Sequence, residues 1–304
     1  MSFTAVILII TSAFMHAFWN FIGKRQNPSL AFFFVTTIAA SAIVSPVLII
    51  YRQQLPHISP AIWALVAATG IAQTIYFLGL AGAYKRGELS LAYPLARAIP
   101  VLLVAVVNLA VGKGSAIGQM SLLGMLLIVA GCILLPMSSF RQMKLRRYFN
   151  AVYLMALVAA IGTTGYTLID DEALRQLRQS APIQLTKTEI TLLFVGLQTT
   201  STAVMLGLAT AFYAPEKRLL RQMMRNRALL LSGALTGLII MATYGLVLAS
   251  MAYVTNVSYV AAFRQLSIPI GAFLGISLQK EPRHTPKLVG VGIISVGLVL
   301  VGIG

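Results

Sequence analysis

The chain has 304 residues, of which 58% are hydrophobic and only 10% are charged, whereas a soluble domain carries about 25% charged residues. This composition excludes an ordinary water-soluble fold, because apolar runs of about twenty residues are long enough to cross a bilayer as helices. The net charge of +16 does not indicate a nucleic-acid partner, since most basic residues lie in the short gaps between apolar runs, where they fix orientation and contact lipid headgroups.

The first apolar run, 3–22, lacks the basic start and the small-residue cleavage site of a secretory signal peptide. We therefore predict that it is the first membrane helix. His16 and Asn20 are four residues apart and Trp19 is three from His16, so the three side chains share one helix face. A polar face on a membrane helix should point inward. His16 would suit proton transfer near neutral pH, and a neutral histidine bonded to a neighbouring helix is the alternative.

Nine further apolar runs follow, and charges, glycines or prolines separate them where the backbone can reach water. They are 29–51, 60–84, 89–111, 117–137, 149–170, 189–213, 228–252, 257–279 and 286–304. The runs are longer than the strands of a membrane barrel and apolar on all sides, so the predicted fold class is all-α integral membrane with ten transmembrane helices. Two longer gaps, 138–148 and 171–188, are the candidate soluble loops.

The ten runs divide into two similar halves of five. Tyr84 and Tyr253 are 169 residues apart, as are Pro100 and Pro269. An odd number of helices per half means that the second half enters the membrane the opposite way round, which predicts two inverted five-helix repeats with a site near the midplane. The predicted organisation is a first repeat over 1–137, a linker over 138–148 and a second repeat over 149–304.

Glycine spacing predicts close helix packing in both halves. Gly124 and Gly131 are seven residues apart, as are Gly290 and Gly297, and small residues let helix backbones approach one another. Packing within one chain and formation of a homodimer are both open. The gaps after the odd-numbered runs carry sixteen lysines and arginines against five on the opposite side, so the positive-inside rule places both termini outside the cytoplasm.

Two arginines lie at mid-depth of predicted membrane helices, Arg97 in the fourth run and Arg264 in the ninth. A charge at the centre of a membrane helix costs at least about 2.5–3.5 kcal/mol on insertion scales, so it normally faces a polar cavity or a partner. We expect no carboxylate at matching depth, because the acidic residues lie at the ends of the runs: Glu88, Asp170, Asp171, Glu172 and Glu189. Guanidinium groups bind carboxylate or phosphate through paired hydrogen bonds, which predicts an anion site.

Prolines accompany both arginines. Pro94 and Pro100 bracket Arg97, and Pro269 follows Arg264. A proline frees the carbonyl four residues earlier and kinks the helix, so we predict that the three prolines act as hinges. The alternatives are that each arginine caps the freed carbonyls and that the kinks are static. Tyr93 and Tyr259 are predicted to line the site, although packing is the commoner role of a membrane tyrosine.

Three sequence segments resemble the EamA-type transporters of the drug/metabolite transporter superfamily. They are HAFWN in the first run, AYKRGELSLAYPLARAIPVLL at the third and fourth, and AYVTNVSYVAAFRQLSIPIGAFLG at the eighth and ninth. The resemblance implies two tandem repeats and secondary transport of a small metabolite, often export of amino acids or related compounds, across a bacterial inner membrane. Related small multidrug exporters bind cations with a glutamate in their first helix. No acid occurs in the first run here, which argues against a cationic drug.

The function predicted from these features is a secondary transporter, an exporter of a small anionic or zwitterionic metabolite such as an amino acid, an organic acid or a phosphonate. A flippase for a lipid-linked substrate is one alternative. A membrane-embedded lipid-modifying enzyme is another, with Asp170, Asp171 and Glu172 as its candidate cluster. Known enzyme signatures are absent from the sequence, so we expect no enzyme activity, no cofactor and no metal site. The expected partners are the small-molecule substrate and the bilayer.

Overall fold

The structure is a computed structural model that describes residues 3–26, 28–110, 118–140, 149–181, 183–251 and 266–303. A 3-10 helix, Arg52–His57, joins the second and third α-helices. No strand occurs in these ranges, and the predicted all-α class is confirmed. The α-helices are α1 Phe3–Arg25, α2 Leu30–Ile50, α3 Pro60–Arg86, α4 Leu89–Ala110, α5 Gln119–Leu134, α6 Ala151–Gln179, α7 Lys187–Phe212, α8 Ala214–Arg225, α9 Arg227–Met251, α10 Ser267–Leu278 and α11 Thr285–Ile303.

Seven helices in the described part of the chain are long and apolar enough to cross a membrane. They are Val6–Arg25, Leu30–Ile50, Pro60–Arg86, Ala151–Gln179, Lys187–Phe212, Arg227–Val247 and Thr285–Ile303. Helices α4, α5 and α10 supply shorter apolar stretches. Each of the ten predicted runs thus contains a described helix, and the chain is a multi-pass membrane protein. The count of ten spans and the inverted repeat stay predictions, because the apolar stretches of α4, α5 and α10 that the structure describes are shorter than the roughly 20 residues of a full bilayer crossing.

Helix α6 is longer than the sequence analysis predicts. The apolar run stops at Asp170, but the helix continues to Gln179. Residues 171–179 are therefore helical, and the prediction of a loop over this stretch is wrong. Alanine, leucine, glutamate, glutamine and arginine favour the helix, and Ala173 and Leu177 are fully buried in an apolar core. Asp170 consequently lies nine residues before the end of α6, and its predicted position at a segment end is also wrong.

The gap between the seventh and eighth predicted runs contains a helix of its own. Helix α8, Ala214–Arg225, has a proline in its first turn and is followed by Asn226 at its C-cap. Its four basic residues and its low mean hydropathy hide it from a search for apolar runs. The side chain of Asn226 accepts hydrogen bonds from the backbone N–H groups of Ala228 and Leu229, which caps the start of α9.

The helices divide into two compact units. Unit 1 consists of Met1–Asn27, Gly79–Ala160 and Ile239–Gly304, and unit 2 consists of Pro28–Leu78 and Ile161–Leu238. Both units draw residues from both halves of the sequence, so they do not follow the predicted repeats. The boundaries of those repeats stay a prediction, and the linker 141–148 lies outside the described residues.

In unit 2, α2 packs against α7, and an apolar core joins the start of α3, the end of α6 and the start of α7. In unit 1, α5 packs along α11, and α10 packs against α1 and α4. Large apolar side chains also cover the outer faces of the candidate spans; Phe14, Ile71 and Val204 are examples. This arrangement suits helices whose outer surface faces hydrocarbon.

Candidate functional site

The polar face of α1 forms a small bonded cluster. The Trp19 indole N–H donates to His16 Nδ1 at 3.3 Å, and the two rings are nearly perpendicular with centroids 5.2 Å apart. The Asn20 side-chain amide donates to the backbone carbonyl of His16 at 2.7 Å. The structure therefore brings together the three residues that the sequence pattern placed on one face. His16 Nδ1 is therefore the acceptor in this arrangement.

Tyr84 connects this cluster to α3. Its phenol donates to Asn20 Oδ1 at 2.7 Å, and both side chains are buried. The Asn20 amide is thus held at both ends, by α3 and by its own helix. Sequence analysis used Tyr84 only as a marker of the repeat and missed this bond. The available signal was its chemistry, because a buried tyrosine hydroxyl usually finds a hydrogen-bond partner.

Tyr93 extends the cluster to α4 and α10. Its ring is 1% exposed and lies 6.2 Å from the His16 ring, between centroids. Gly271 of α10 packs directly on the tyrosine: a Cβ atom at this glycine would lie 2.5 Å from Tyr93 Cδ1. Only a residue without a side chain lets α10 approach so closely. The predicted neighbours His16, Trp19, Asn20 and Tyr93 are therefore in one cluster within unit 1.

Arg97 lies one helical turn beyond Tyr93 on the same face of α4. Four residues of α-helix rise about 6 Å, so the backbone of Arg97 lies about that far along α4 from Tyr93. The side chain is half-buried and its Nε atom is buried. The predicted partners Arg264 and Tyr259 lie outside the described residues, so their place at this site stays a prediction.

The three predicted hinge prolines have different settings. Helix α4 continues through Pro94 and Pro100, both of which are buried. Each proline lacks the N–H that would bond the carbonyl four residues earlier, at Ser90 and Ala96 respectively. Pro269 is the third residue of α10 as described. Motion at these prolines stays a prediction.

A network of charged groups holds the start of α4, and sequence analysis missed it. Glu281, in the connection between α10 and α11, accepts hydrogen bonds from the backbone N–H groups of Leu89 at 2.6 Å and Ser90 at 2.9 Å. A carboxylate at this position satisfies N–H groups that have no partner within the helix and complements the helix dipole. The carboxylate therefore ties α4 to the segment before α11.

Lys287 of α11 completes this network. It is 3% exposed and forms an ion pair with Glu88, which precedes α4. Its ammonium group also donates to Ser90 Oγ at 3.2 Å and to the carbonyl oxygen of Pro282 at 3.3 Å. We call Glu88, Glu281 and Lys287 the α4 clamp. The sequence around Glu88 and the sequence around Lys287 give no sign that these two residues are partners.

Helix α6 carries a second polar site, in unit 2. Asp170 Oδ1 accepts from the Thr69 hydroxyl at 2.6 Å, and Oδ2 accepts from the Gln198 amide. Glu172 instead bonds Arg175, with an N to O distance of 2.6 Å. The adjacent carboxylates therefore have separate partners. The lipid-modifying enzyme with Asp170, Asp171 and Glu172 as its cluster stays an untested alternative.

The architecture defines an all-helical, multi-pass membrane protein whose membrane helices carry bonded polar clusters. Residues 3–137 match the EamA-like transporter family. The match covers the first of the two predicted repeats, and over these residues it confirms the resemblance to EamA-type transporters of the drug/metabolite transporter superfamily that the sequence motifs indicated. The comparison with curated proteins gave no match.

Proposed function

We propose that the protein is a secondary transporter that exports a small anionic or zwitterionic metabolite across a bacterial inner membrane by alternating access. Amino acids, organic acids and phosphonates are the substrate classes that fit this chemistry. The observation that supports the proposal is that Arg97 follows Tyr93 by one turn of α4, and that Tyr93 lies against His16 in the cluster with Trp19 and Asn20. The proposal deepens the family assignment by naming the charge of the substrate.

The roles of the side chains follow from their contacts. Asn20 is bonded to Tyr84 and to its own helix, and Tyr93 packs between His16 and Gly271. These contacts fix the positions of the Asn20 amide and the Tyr93 ring, which are proposed to line one side of the substrate site. Arg97 supplies the positive charge of that site, where a guanidinium offers paired donors to a carboxylate or a phosphonate. Arg264 is proposed to contribute the second positive charge, as the sequence repeat suggests.

The α4 clamp gives the proposed movement a location. Glu281 and Lys287 join the first residues of α4 to the connection before α11 and to α11 itself. If α4 bends at Pro94 and Pro100 during transport, the clamp holds the residues before Pro94 in place while the part of the helix that carries Arg97 moves. The proposed movement thus lies in the part of α4 that follows the clamp.

A ligand screen with purified protein tests the proposal. A ligand that binds the folded state raises the apparent unfolding temperature, so amino acids, organic acids and phosphonates are compared with cationic amines. We expect stabilisation by an anionic or zwitterionic compound, and transport of that compound in proteoliposomes. Arg97→Gln should abolish both effects, whereas Arg52→Gln, which removes an exposed charge from the 3-10 helix, should leave both unchanged.

Three outcomes would contradict the proposal. Normal transport by a folded Arg97→Gln variant would remove Arg97 from the site. Stabilisation by cationic amines alone would reverse the proposed charge of the substrate. Movement of a labelled anionic lipid between leaflets, without transport of any soluble anion, would favour the flippase.

A further inference from the structure

Helix α8 has two chemically different faces. Lys217, Arg221 and Arg225 follow one another at four-residue intervals, and these three residues together with Arg218 are all exposed. Because residues four apart lie on the same helix face, the four cations form one basic stripe. Leu219, Leu220, Met223 and Met224 occupy the opposite side and its border. This is the pattern of a helix that lies in a membrane interface.

The contacts of α8 fix which face turns outward. Glu216 accepts a hydrogen bond from the backbone N–H of Ala31 at 2.9 Å, at the start of α2. Met223 is buried, and its methyl group would be 3.8 Å from a Cβ atom placed on Gly233 of α9. The basic stripe points away from Met223, because residues 217, 221 and 225 lie about 120–160° around the helix from it at 100° per residue. The stripe is therefore held outward rather than free to turn inward.

The chain on either side of α8 keeps it next to the bilayer. Helix α7 ends at Phe212 and α9 begins at Arg227, and both are candidate membrane spans. Phe212 is 86% exposed, and Met224 is 61% exposed at the border of the basic stripe. Exposed apolar side chains at the end of a membrane span are expected to contact the boundary between the lipid headgroups and the acyl chains. The membrane surface is therefore the partner that lies next to α8.

We propose that α8 lies in the membrane interface and binds anionic phospholipid headgroups through Lys217, Arg218, Arg221 and Arg225. Charge complementarity selects an anionic rather than a zwitterionic lipid surface, because clustered lysines and arginines near a membrane are attracted to its negative surface potential. The predicted orientation places this gap on the cytoplasmic side, where such a cluster conforms to the positive-inside rule. The inference is independent of the transported substrate.

A fluorescent label tests the depth of the helix. With the native thiol removed by Cys132→Ala, Met224→Cys provides a single attachment point for an environment-sensitive fluorophore on the full chain. In nanodiscs of phosphatidylcholine and phosphatidylglycerol, we expect blue-shifted emission and quenching by brominated acyl chains. Emission like that of the hydrated fluorophore, without quenching, would overturn the interfacial position and would favour a soluble protein partner for α8.

A matched pair of charge variants tests the lipid preference in the same labelled chain. Lys217→Gln, Arg221→Gln and Arg225→Gln are combined in one variant. The control combines Arg52→Gln, Arg178→Gln and Lys187→Gln, which remove the same charge from exposed positions elsewhere. Phosphatidylglycerol is titrated into phosphatidylcholine nanodiscs, and the lipid fraction that gives half of the blue shift is measured.

The stripe variant should require roughly tenfold more phosphatidylglycerol, or should lose the response, while the control should follow the parent. The response of the parent should also weaken as salt is added, because ions screen exposed charges. Equal blue shifts in pure phosphatidylcholine and in the mixture would overturn the preference for anionic lipid. A stripe variant that titrates like the control would overturn the assigned residues. Thermal unfolding of both variants establishes that each is folded.

Discussion

Gly131 of α5 lies directly opposite Gly290 of α11. A Cβ atom on Gly131 would be 2.7 Å from the carbonyl oxygen of Gly290, and one on Gly290 would be 2.8 Å from that of Gly131. Gly124 and Gly297 repeat the relationship, at 2.5 and 2.6 Å. Both pairs of glycines are seven residues apart along their helices, so exchanging α5 with α11 maps the contact of Gly131 with Gly290 onto the contact of Gly297 with Gly124. This is the contact pattern of a two-fold axis, as the predicted inverted repeat requires.

These contacts predict the effect of adding one methyl group to the glycine face. Gly131→Ala should lower the free energy of unfolding by roughly 1–3 kcal/mol, because backbone atoms on α11 must move to admit the methyl group. Thermal unfolding in detergent, with the fraction of monodisperse protein as a second measurement, checks the prediction. Gly292→Ala on α11 is the control, since no atom lies within 4 Å of the added Cβ. Equal stability of the two variants would contradict the close packing.

Local periodicity predicts the α1 cluster because all its information lies within five residues. His16, Trp19 and Asn20 share a face at the spacing of a helix, and the structure bonds them as neighbours. The same reasoning could not find the bond between Tyr84 and Asn20 or the pair of Lys287 and Glu88. Those partners are 64 and 199 residues apart, so their meeting depends on how helices pack rather than on any local pattern.

Hydropathy predicted the membrane helices well where their composition was uniform, and failed where it changed along one helix. Helix α6 passes from an apolar stretch into a charged one at Asp170 without a break. Its final turns gain stability from buried Ala173 and Leu177, which a mean over the window does not register. Helix α8 escaped detection for the related reason that its basic stripe cancels its apolar face in the average.

Tyr84→Phe tests whether the bond between α3 and α1 supports the candidate site. The substitution leaves Asn20 Oδ1 buried without the hydroxyl that donates to it, at a cost of roughly 1–3 kcal/mol. The unfolding temperature should fall, and binding of any ligand found in the screen should weaken because Asn20 and its neighbours lose their support. Tyr213→Phe, at a tyrosine that is 57% exposed, should change neither measurement. A Tyr84→Phe variant as stable as the control would show that the hydrogen bond is dispensable.

Two ion pairs in the described part of the chain offer a comparison of buried and exposed charges. Glu88→Gln leaves the ammonium group of Lys287, which is 3% exposed, without its carboxylate. Breaking a buried pair costs roughly 3–5 kcal/mol, and we expect somewhat less here because the Glu88 side chain is 37% exposed. Glu172→Gln breaks the exposed pair with Arg175 and should cost at most about 1 kcal/mol. Thermal or denaturant unfolding of the two variants gives the difference.

The double variant Glu88→Gln with Lys287→Met separates loss of a partner from loss of the helix contact. It removes the buried charge as well as its partner, so much of the stability lost in Glu88→Gln should return. A double variant less stable than Glu88→Gln would mean that Lys287 acts mainly through Ser90 and Pro282. Transport assays on the same variants would then report whether weakening the α4 clamp alters the rate.

Asp170 is the acceptor for two donors from different helices, and its removal should therefore cost more than that of a neighbouring acid. Asp170→Ala leaves the buried Thr69 hydroxyl and the half-buried Gln198 amide without this acceptor, at roughly 1–3 kcal/mol for the buried hydroxyl and less for the amide. Asp171→Ala removes the same charge from an exposed position and should be nearly neutral. Asp170→Asn keeps an acceptor for Thr69 but not the negative charge. It should therefore unfold at a temperature between those of the parent and Asp170→Ala, and an Asn variant as unstable as Ala would mean that the charge, rather than the hydrogen bonds, holds α3, α6 and α7 together.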